Sequence, residues 1–277
     1  MIQERSFTPR PSRAWYYLRS AWRLLSGIRL SAAVLKLAVT GRTATPSVVR
    51  LNRSNVHFLV RSRLDVWILK EVCLDHDYER VGEPLRNGWT VLDIGAGFGA
   101  FAIDAAARCL RSNVYAIEPS PEPYARLVRG IELNGLDNVR PLRMAVGARN
   151  GQALLNVSAA EPALHHLTDS RQAAGVTVEV PERTLAGLFE DLNLDRCDFL
   201  KLDCEGGEYD ILLTAGRETL ARIQRLCVEY HDSPPHHHRQ LVDVLARAGF
   251  SITLTPGSAY REIGFLFARR SSAAFGP

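Results

Sequence analysis

A chain of 277 residues with 46% hydrophobic side chains has room for one large α/β domain and an extension, and is too apolar to be disordered. Its five cysteines (Cys73, Cys109, Cys197, Cys204 and Cys227) form no CxxC pair, which excludes a zinc knuckle and a disulfide framework and fits a reducing cytoplasm. The net charge of +4 is lopsided: residues 1–63 hold twelve Lys/Arg against one acid, Glu4, and the remainder holds 22 basic and 29 acidic residues.

The basic N-terminal part is either a solvated face or the footprint of an anionic partner: a membrane surface, an acidic glycolipid or a nucleic acid. Trp15, Tyr16, Leu18, Trp22, Leu25, Ile28 and Leu30 fall near helical spacing, with Arg13, Arg19, Arg23 and Arg29 between them. Such a helix suits peripheral contact with a membrane, or a lid or dimer contact. The apolar run 28–39 is too short to span a bilayer and contains Lys36, and no secretory cleavage pattern is present. Thr45-Pro46 reads as a break, so 1–45 is expected to be a basic, partly amphipathic helical extension. Residues 48–51 and 57–60 alternate as a hairpin does, 64–78 reads as a helix, and 82–88 as a linker. These make a segment, 46–88, ahead of a core domain at 89–270.

Within the core, strands are predicted at 91–94, 114–117, 139–146, 198–203 and 225–230, and helices at 101–110, 121–134, 183–192 and 239–248. Residues 154–157 and 176–180 are short β segments flanking a polar loop, 158–175. Residues 251–255 and 263–268 form a closing strand pair.

The stretch 89–120 is the most telling: strand, glycine turn, helix, strand, acid. Gly95, Ala96, Gly97, Phe98 and Gly99 form the turn, and Glu118 ends the next strand about twenty residues later. A βαβ unit sets such a turn at the carboxyl edge of a parallel sheet, where ligands bind. Glycine lets the backbone approach a ligand, the helix start offers N–H groups, and Glu118 can accept from both hydroxyls of a ribose. This is a nucleoside-cofactor site. The dinucleotide pattern GxGxxG/A fits poorly, since Gly95 opens GxGxG and only a start at Gly97 that counts Ala102 rescues it. Asp93 separates the classes: a carboxylate there repels a pyrophosphate and suits the ammonium of S-adenosyl-L-methionine. Alternatively the glycines serve only a tight turn, and Asp93 caps the helix.

Asp203, Glu205 and Glu208 put three carboxylates within six residues after the fourth strand. Crowded carboxylates hold protons more tightly, as a general base for a hydroxyl must, and such a cluster could also take Mg²⁺. The string KLDCEGGEYDIL at 201–212 resembles the KIDVEGAE segment of FkbM-type methyltransferases. DIGAGFG at 93–99 resembles the first motif of Rossmann-like methyltransferases, and Glu118-Pro119-Ser120 the second. The surroundings agree: Ala145-Val146-Gly147 followed by Gly151, Thr184-Leu185, VEYH at 228–231, and 63–78 with Asp65. The resemblance covers roughly 60–268 and leaves 1–45 outside. One departure is Ala186, where the family often has Asp.

The resemblance implies an α/β fold with a Rossmann-like class I methyltransferase sheet, mostly parallel, of about seven strands with helices on both faces. It implies an S-adenosyl-L-methionine-dependent O-methyltransferase acting on hydroxyls of small molecules, sugars or glycolipids, or secondary metabolites. Asp93, Gly95 and Gly97 would hold the methionine end, Glu118 the ribose, and Ala145 and Val146 the adenine edge, with Ala96, Phe98, Pro119 and Ser120 also among the cofactor-binding residues. Asp203 would lie near the cofactor's amino group or the acceptor. Asp203, Glu205 and His231, in that order, are the candidate bases; Glu205 and Glu208 may be read instead as braces of the turn, and His231 as a satisfied loop histidine. His236, His237 and His238 are expected on a solvated loop, pointing apart, and His165-His166 near substrate. Nucleic-acid methylation is the runner-up and rests on the basic N-terminus alone, since no DPPY-like or Cys-nucleophile motif follows the fourth strand. A cofactor-binding protein without catalysis and a dehydrogenase follow. No motif specifies the acceptor, the metal dependence or the oligomeric state.

Overall fold

The computed structural model describes residues 2–4, 13–29, 31–81, 84–157, 166–168, 176–256 and 262–271. Ahead of the core lie β1 (Ile2–Glu4), α1 (Arg13–Gly27), α2 (Ala32–Thr40), the antiparallel pair β2 (Arg42–Arg50) and β3 (His57–Ser62), and α3 (Arg63–Leu69). Ser62 and Asp65 form a reciprocal capping box that starts α3. A π-helical turn, Lys70–Leu74, continues it, and a 3-10 turn, Asp77–Glu79, follows.

The core runs β4 (Thr90–Ile94), α4 (Ala100–Arg108), β5 (Asn113–Ile117), α5 (Pro121–Asn134), β6 (Val139–Leu142), β7 (Ala145–Val146), β8 (Gly151–Val157), β9 (His166–Thr168) and β10 (Val176–Arg183). It continues with α6 (Leu185–Asp191), β11 (Phe199–Leu202), α7 (Glu208–Thr214), α8 (Arg217–Ala221), β12 (Arg225–His231), α9 (His238–Arg247), β13 (Phe250–Pro256) and β14 (Ile263–Arg270). The main sheet has the order β1-β13-β14-β12-β11-β4-β5-β6, in which β14 alone runs antiparallel to its neighbours. The expected seven strands are therefore present, and β1 adds a short eighth beside β13.

The two central strands are apolar because both faces are covered: all four residues of β11 and Val91 to Ile94 of β4 are buried. One face packs Phe101, Ile103, Leu127 and Phe199, and that core continues into Ile28, Leu37, Val49 and Phe58 of the N-terminal elements. The other packs Leu188, Phe189, Tyr209 and Leu245. Strand order reverses between β4 and β11, which opens a crevice at their carboxyl ends.

Three expectations change. Thr45 and Pro46 lie inside β2, where an irregular register between Arg42 and Ser47 absorbs a proline that has no N–H to donate. The strand expected at 139–146 divides. Its first half is the edge strand β6, while Ala145–Val146 joins a second sheet of order β7-β10-β8-β9. The loop expected at 158–175 contains β9, which pairs with β8.

Candidate active site

A cavity of about 750 Å³ occupies the crevice at the carboxyl ends of β4, β5, β11 and β12. Gly95, Ala96, Gly97, Phe98, Glu118, Pro119, Ser120, Ala145, Val146, Asp203, Glu205 and His231 all line it, so most of the expected site residues converge. Asp93 does not.

The glycine turn is built by backbone demands. Gly95 has φ +79, and a Cβ there would fall 1.7 Å from the Asp203 carbonyl oxygen, so the two turns touch only because position 95 lacks a side chain. Gly97, at φ +54, faces open space instead. Glu118 knits the turn to the next strand: Gly97 N–H donates to Oε2 and Ser120 N–H to Oε1, both at 2.8 Å. Glu118 also lines the cavity.

Asp93 departs from expectation. Its carboxylate is fully buried beneath the turn, 3.0 Å from Lys201 Nζ, takes a backbone hydrogen bond from Ala102 in the first turn of α4, and does not line the cavity. Burial raises its proton affinity and Lys201 opposes that rise. Lys201 also donates to the Gly95 carbonyl at 2.8 Å and lies 3.6 Å from Asp203 Oδ2. Burial alone would lower its pKa, but Asp93 and Asp203 raise it and keep it charged. Asp65 likewise stays out of the cavity; it caps α3 and pairs with Arg126 at 2.7 Å.

Tyr78 enters from the 3-10 turn, and its hydroxyl lies 2.7 Å from both Asp203 Oδ2 and Glu229 Oε2. One phenolic hydrogen cannot satisfy two ionised carboxylates, so one carboxyl group must itself carry a proton. Burial, and then the charge of Asp203, push Glu229 up to about 8. The Tyr78 hydroxyl opposes that rise, lying as a donor between Glu229 and Asp203.

Glu208, fully buried, braces the acidic turn by accepting from Cys204 N–H at 2.6 Å and Gly206 N–H at 2.9 Å. His231 lies with Nδ1 3.3 Å from Glu208 Oε1 and Nε2 3.6 Å from Glu205 Oε2. Burial would lower its pKa, but the hydrogen bond and charge of Glu208, with Asp203 and Glu205, push it up to about 10. The carboxylates around His231 thus favour its charged form. Glu205 is different: held at φ +52 and open to the cavity, it is pushed up to about 7 by burial and by Asp203, against the pull of His231.

Asp203, Glu205 and His231 bring ligand atoms within 4.8 Å of one another. The set does not suit Mg²⁺, because one donor is cationic and an ammonium stands beside a second. The three consecutive histidines differ from expectation. His237 and His238 both face Asp232, at 3.6 and 2.7 Å, while His236 stacks on Tyr209 and lines the cavity. His165 lies outside the described residues, as does the side chain of His166. Ala186 is on α6, away from the cavity wall.

Sequence reasoning missed Tyr78, which is 125 residues from Asp203 and shares no motif with it. It passed over Lys201, although a lone charge in an otherwise apolar strand signals a buried partner.

A family model described as "Methyltransferase FkbM domain" matches residues 93–252, more than half of the chain. Methyltransferase sdnD of Sordaria araneosa is 25% identical over 240 residues, spanning 76% of this chain and 91% of that protein. Hexuronic acid methyltransferase AglP of Haloferax volcanii is 22% identical over 236 residues, spanning 84% and 92%. Among solved structures, M. jannaschii TYW2 in complex with AdoMet aligns with a TM-score of 0.44 and 16% identity, covering 83% of this chain and 88% of that one.

Proposed function

Because the chain belongs to the FkbM methyltransferase family and is an S-adenosyl-L-methionine-dependent methyltransferase, we propose that it methylates a hydroxyl oxygen of a small molecule, sugar or glycolipid. One observation carries this reading: a single cavity joins a nucleoside-binding turn to a cluster of crowded carboxylates.

The wall fits the cofactor. Glu118, held at the cavity wall by two backbone N–H groups, presents its carboxylate to the ribose hydroxyls, and buried Ala145 and Val146 offer an apolar edge to the adenine. Gly97 leaves room for the methionine end. Glu71, Asp77, Glu118, Asp203, Glu205 and Glu229 all line the cavity of a chain whose net charge is positive, which favours a cationic ligand.

Once bound, S-adenosyl-L-methionine supplies an electrophilic methyl group on a sulfonium. The protein's task is to align the acceptor oxygen with it and to take one proton. Glu205 would take that proton from the acceptor hydroxyl. Asp203, fixed by Tyr78, orients the acceptor, and His231 holds Glu205 in place through charge.

A base works deprotonated, so activity rises with pH through about 7 and levels above it. Glu205→Gln should flatten that profile and lower kcat about 100-fold. An unchanged profile in Glu205→Gln would move the role to Asp203. Tyr78→Phe keeps the edge contacts with Phe101 and Phe265 but removes the hydroxyl that lies between Asp203 and Glu229. It should destabilise the protein by about 1–3 kcal/mol, read from urea unfolding, and lower kcat more than it alters KM.

The function itself is tested by titrating S-adenosyl-L-methionine and NAD calorimetrically and then following labelled methyl into a panel of sugar and lipid alcohols. Binding of S-adenosyl-L-methionine alone, with transfer to an alcohol, is expected. Transfer to nucleic acid and to no alcohol would overturn the acceptor class.

A further inference from the structure

Helix α1 has two different faces. Tyr16, Ser20, Arg23 and Gly27 pack inward: Tyr16 lies 6.2 Å from the Trp67 ring, Arg23 donates to the Leu74 carbonyl at 2.7 Å, and Ser20 is buried. The outward face carries Trp15, Leu18, Trp22 and Leu25, spaced 3-4-3 and between 54% and 71% exposed. Leu35 and Val39 repeat the pattern on α2 at 60% and 84% exposure. Seating these side chains in solvent is unfavourable, and scattered single exposures would not be spaced as a stripe.

The charge around the stripe is of one sign. No Asp or Glu occurs between Glu4 and Asp65, and Arg19, Arg29, Lys36 and Arg53 are exposed. A second copy would bring the same positive charge against it. Nucleic acid would meet the arginines but has nothing to offer Leu18, Leu25, Leu35 and Val39. An anionic bilayer satisfies both, taking the apolar stripe below its headgroups and the basic flank among them. No helix among the described residues is long and apolar enough to cross a membrane, so this contact lies on the surface.

We propose that the outer face of α1, with α2, docks the protein on an anionic lipid surface. Helix α1 packs on the Arg63–Leu74 stretch, whose Leu64 and Ile68 face the cavity, and Leu64 is itself 49% exposed. Resting on the hydroxyl methylation proposed above, this narrows the acceptor to a membrane-borne amphiphile such as a glycolipid.

The test is sedimentation of the full chain with vesicles of phosphatidylcholine alone or with added phosphatidylglycerol, in low and high salt. Binding to the anionic vesicles, weakened by salt, is expected. Leu18→Ser with Trp22→Ser should lower partitioning at least tenfold, and Arg19→Glu with Lys36→Glu should remove the preference for anionic over neutral lipid. Both pairs are to be scored with S-adenosyl-L-methionine titration, which registers a folded core independently of any acceptor. Wild-type protein left in the supernatant, unaltered binding in either pair, or a dimer that the Leu18/Trp22 pair abolishes would each overturn the proposal. Vesicle binding reads docking alone, so failure of the methylation reading would appear separately, as binding without transfer.

Discussion

Gly95→Ala is expected to abolish the folded active edge. The new methyl group would have to occupy a point 1.7 Å from the Asp203 carbonyl oxygen and 2.8 Å from its carbonyl carbon, at a backbone φ of +79. Neither neighbour is a flexible side-chain tip. β4 and β11 are paired in register up to Ile94 and Leu202, and Asp203 N–H donates to the Ile94 carbonyl at 3.1 Å. Separating them also pulls the Gly95 carbonyl from Lys201. The left-handed conformation costs about 1–2 kcal/mol by itself, and with the displaced backbone the loss should exceed about 4 kcal/mol. Thermal melting or loss of soluble protein reads it. Gly97→Ala is the control: with open space around the Cβ, it should fold with a modest loss of stability and bind S-adenosyl-L-methionine less well. A Gly95→Ala protein melting within a few degrees of wild type would disprove the close approach of the two turns.

Glu118→Ala should weaken S-adenosyl-L-methionine binding about 100-fold or more. The carboxylate is 6% exposed and accepts two backbone N–H groups, so its loss strands both donors and removes the ribose acceptor together. Each stranded buried donor costs about 1–3 kcal/mol, and about 1.4 kcal/mol is a tenfold change in affinity. Glu118→Gln should fall between, because an amide keeps one acceptor oxygen but presents N–H groups to the other backbone donor. Calorimetry paired with melting curves separates the two contributions. An alanine variant that binds as tightly as wild type would leave Glu118 as a brace of the turn and nothing more.

The charge state of the acidic turn shows why carboxylate counting was a partial guide. Three acids within six residues announced a proton-handling cluster, yet their roles diverge. Glu208 is consumed by two backbone N–H groups, Asp203 lines the cavity bound to Tyr78, and Glu205 lines it with its pKa pushed up to about 7. The same carboxylates crowd His231 and favour its charged form.

What the sequence determined by itself is what short-range rules determine. Apolar runs of four or five residues made β4 and β11, prolines and glycines bounded α5, and a turn with glycines at 95, 97 and 99 followed by Glu118 marked the nucleoside site. Each of these lies within one strand, one helix or one βαβ unit, so periodicity and spacing suffice. Tertiary structure alone decided the rest. Asp93 belongs to Lys201 rather than to a ligand because packing carried it beneath the turn, where a carboxylate needs a cation. Tyr78 meets Asp203 and Glu229 across 125 and 151 residues of chain, and no local pattern encodes that meeting. The dielectric and the neighbours that set which carboxyl group keeps a proton exist only once the chain has folded.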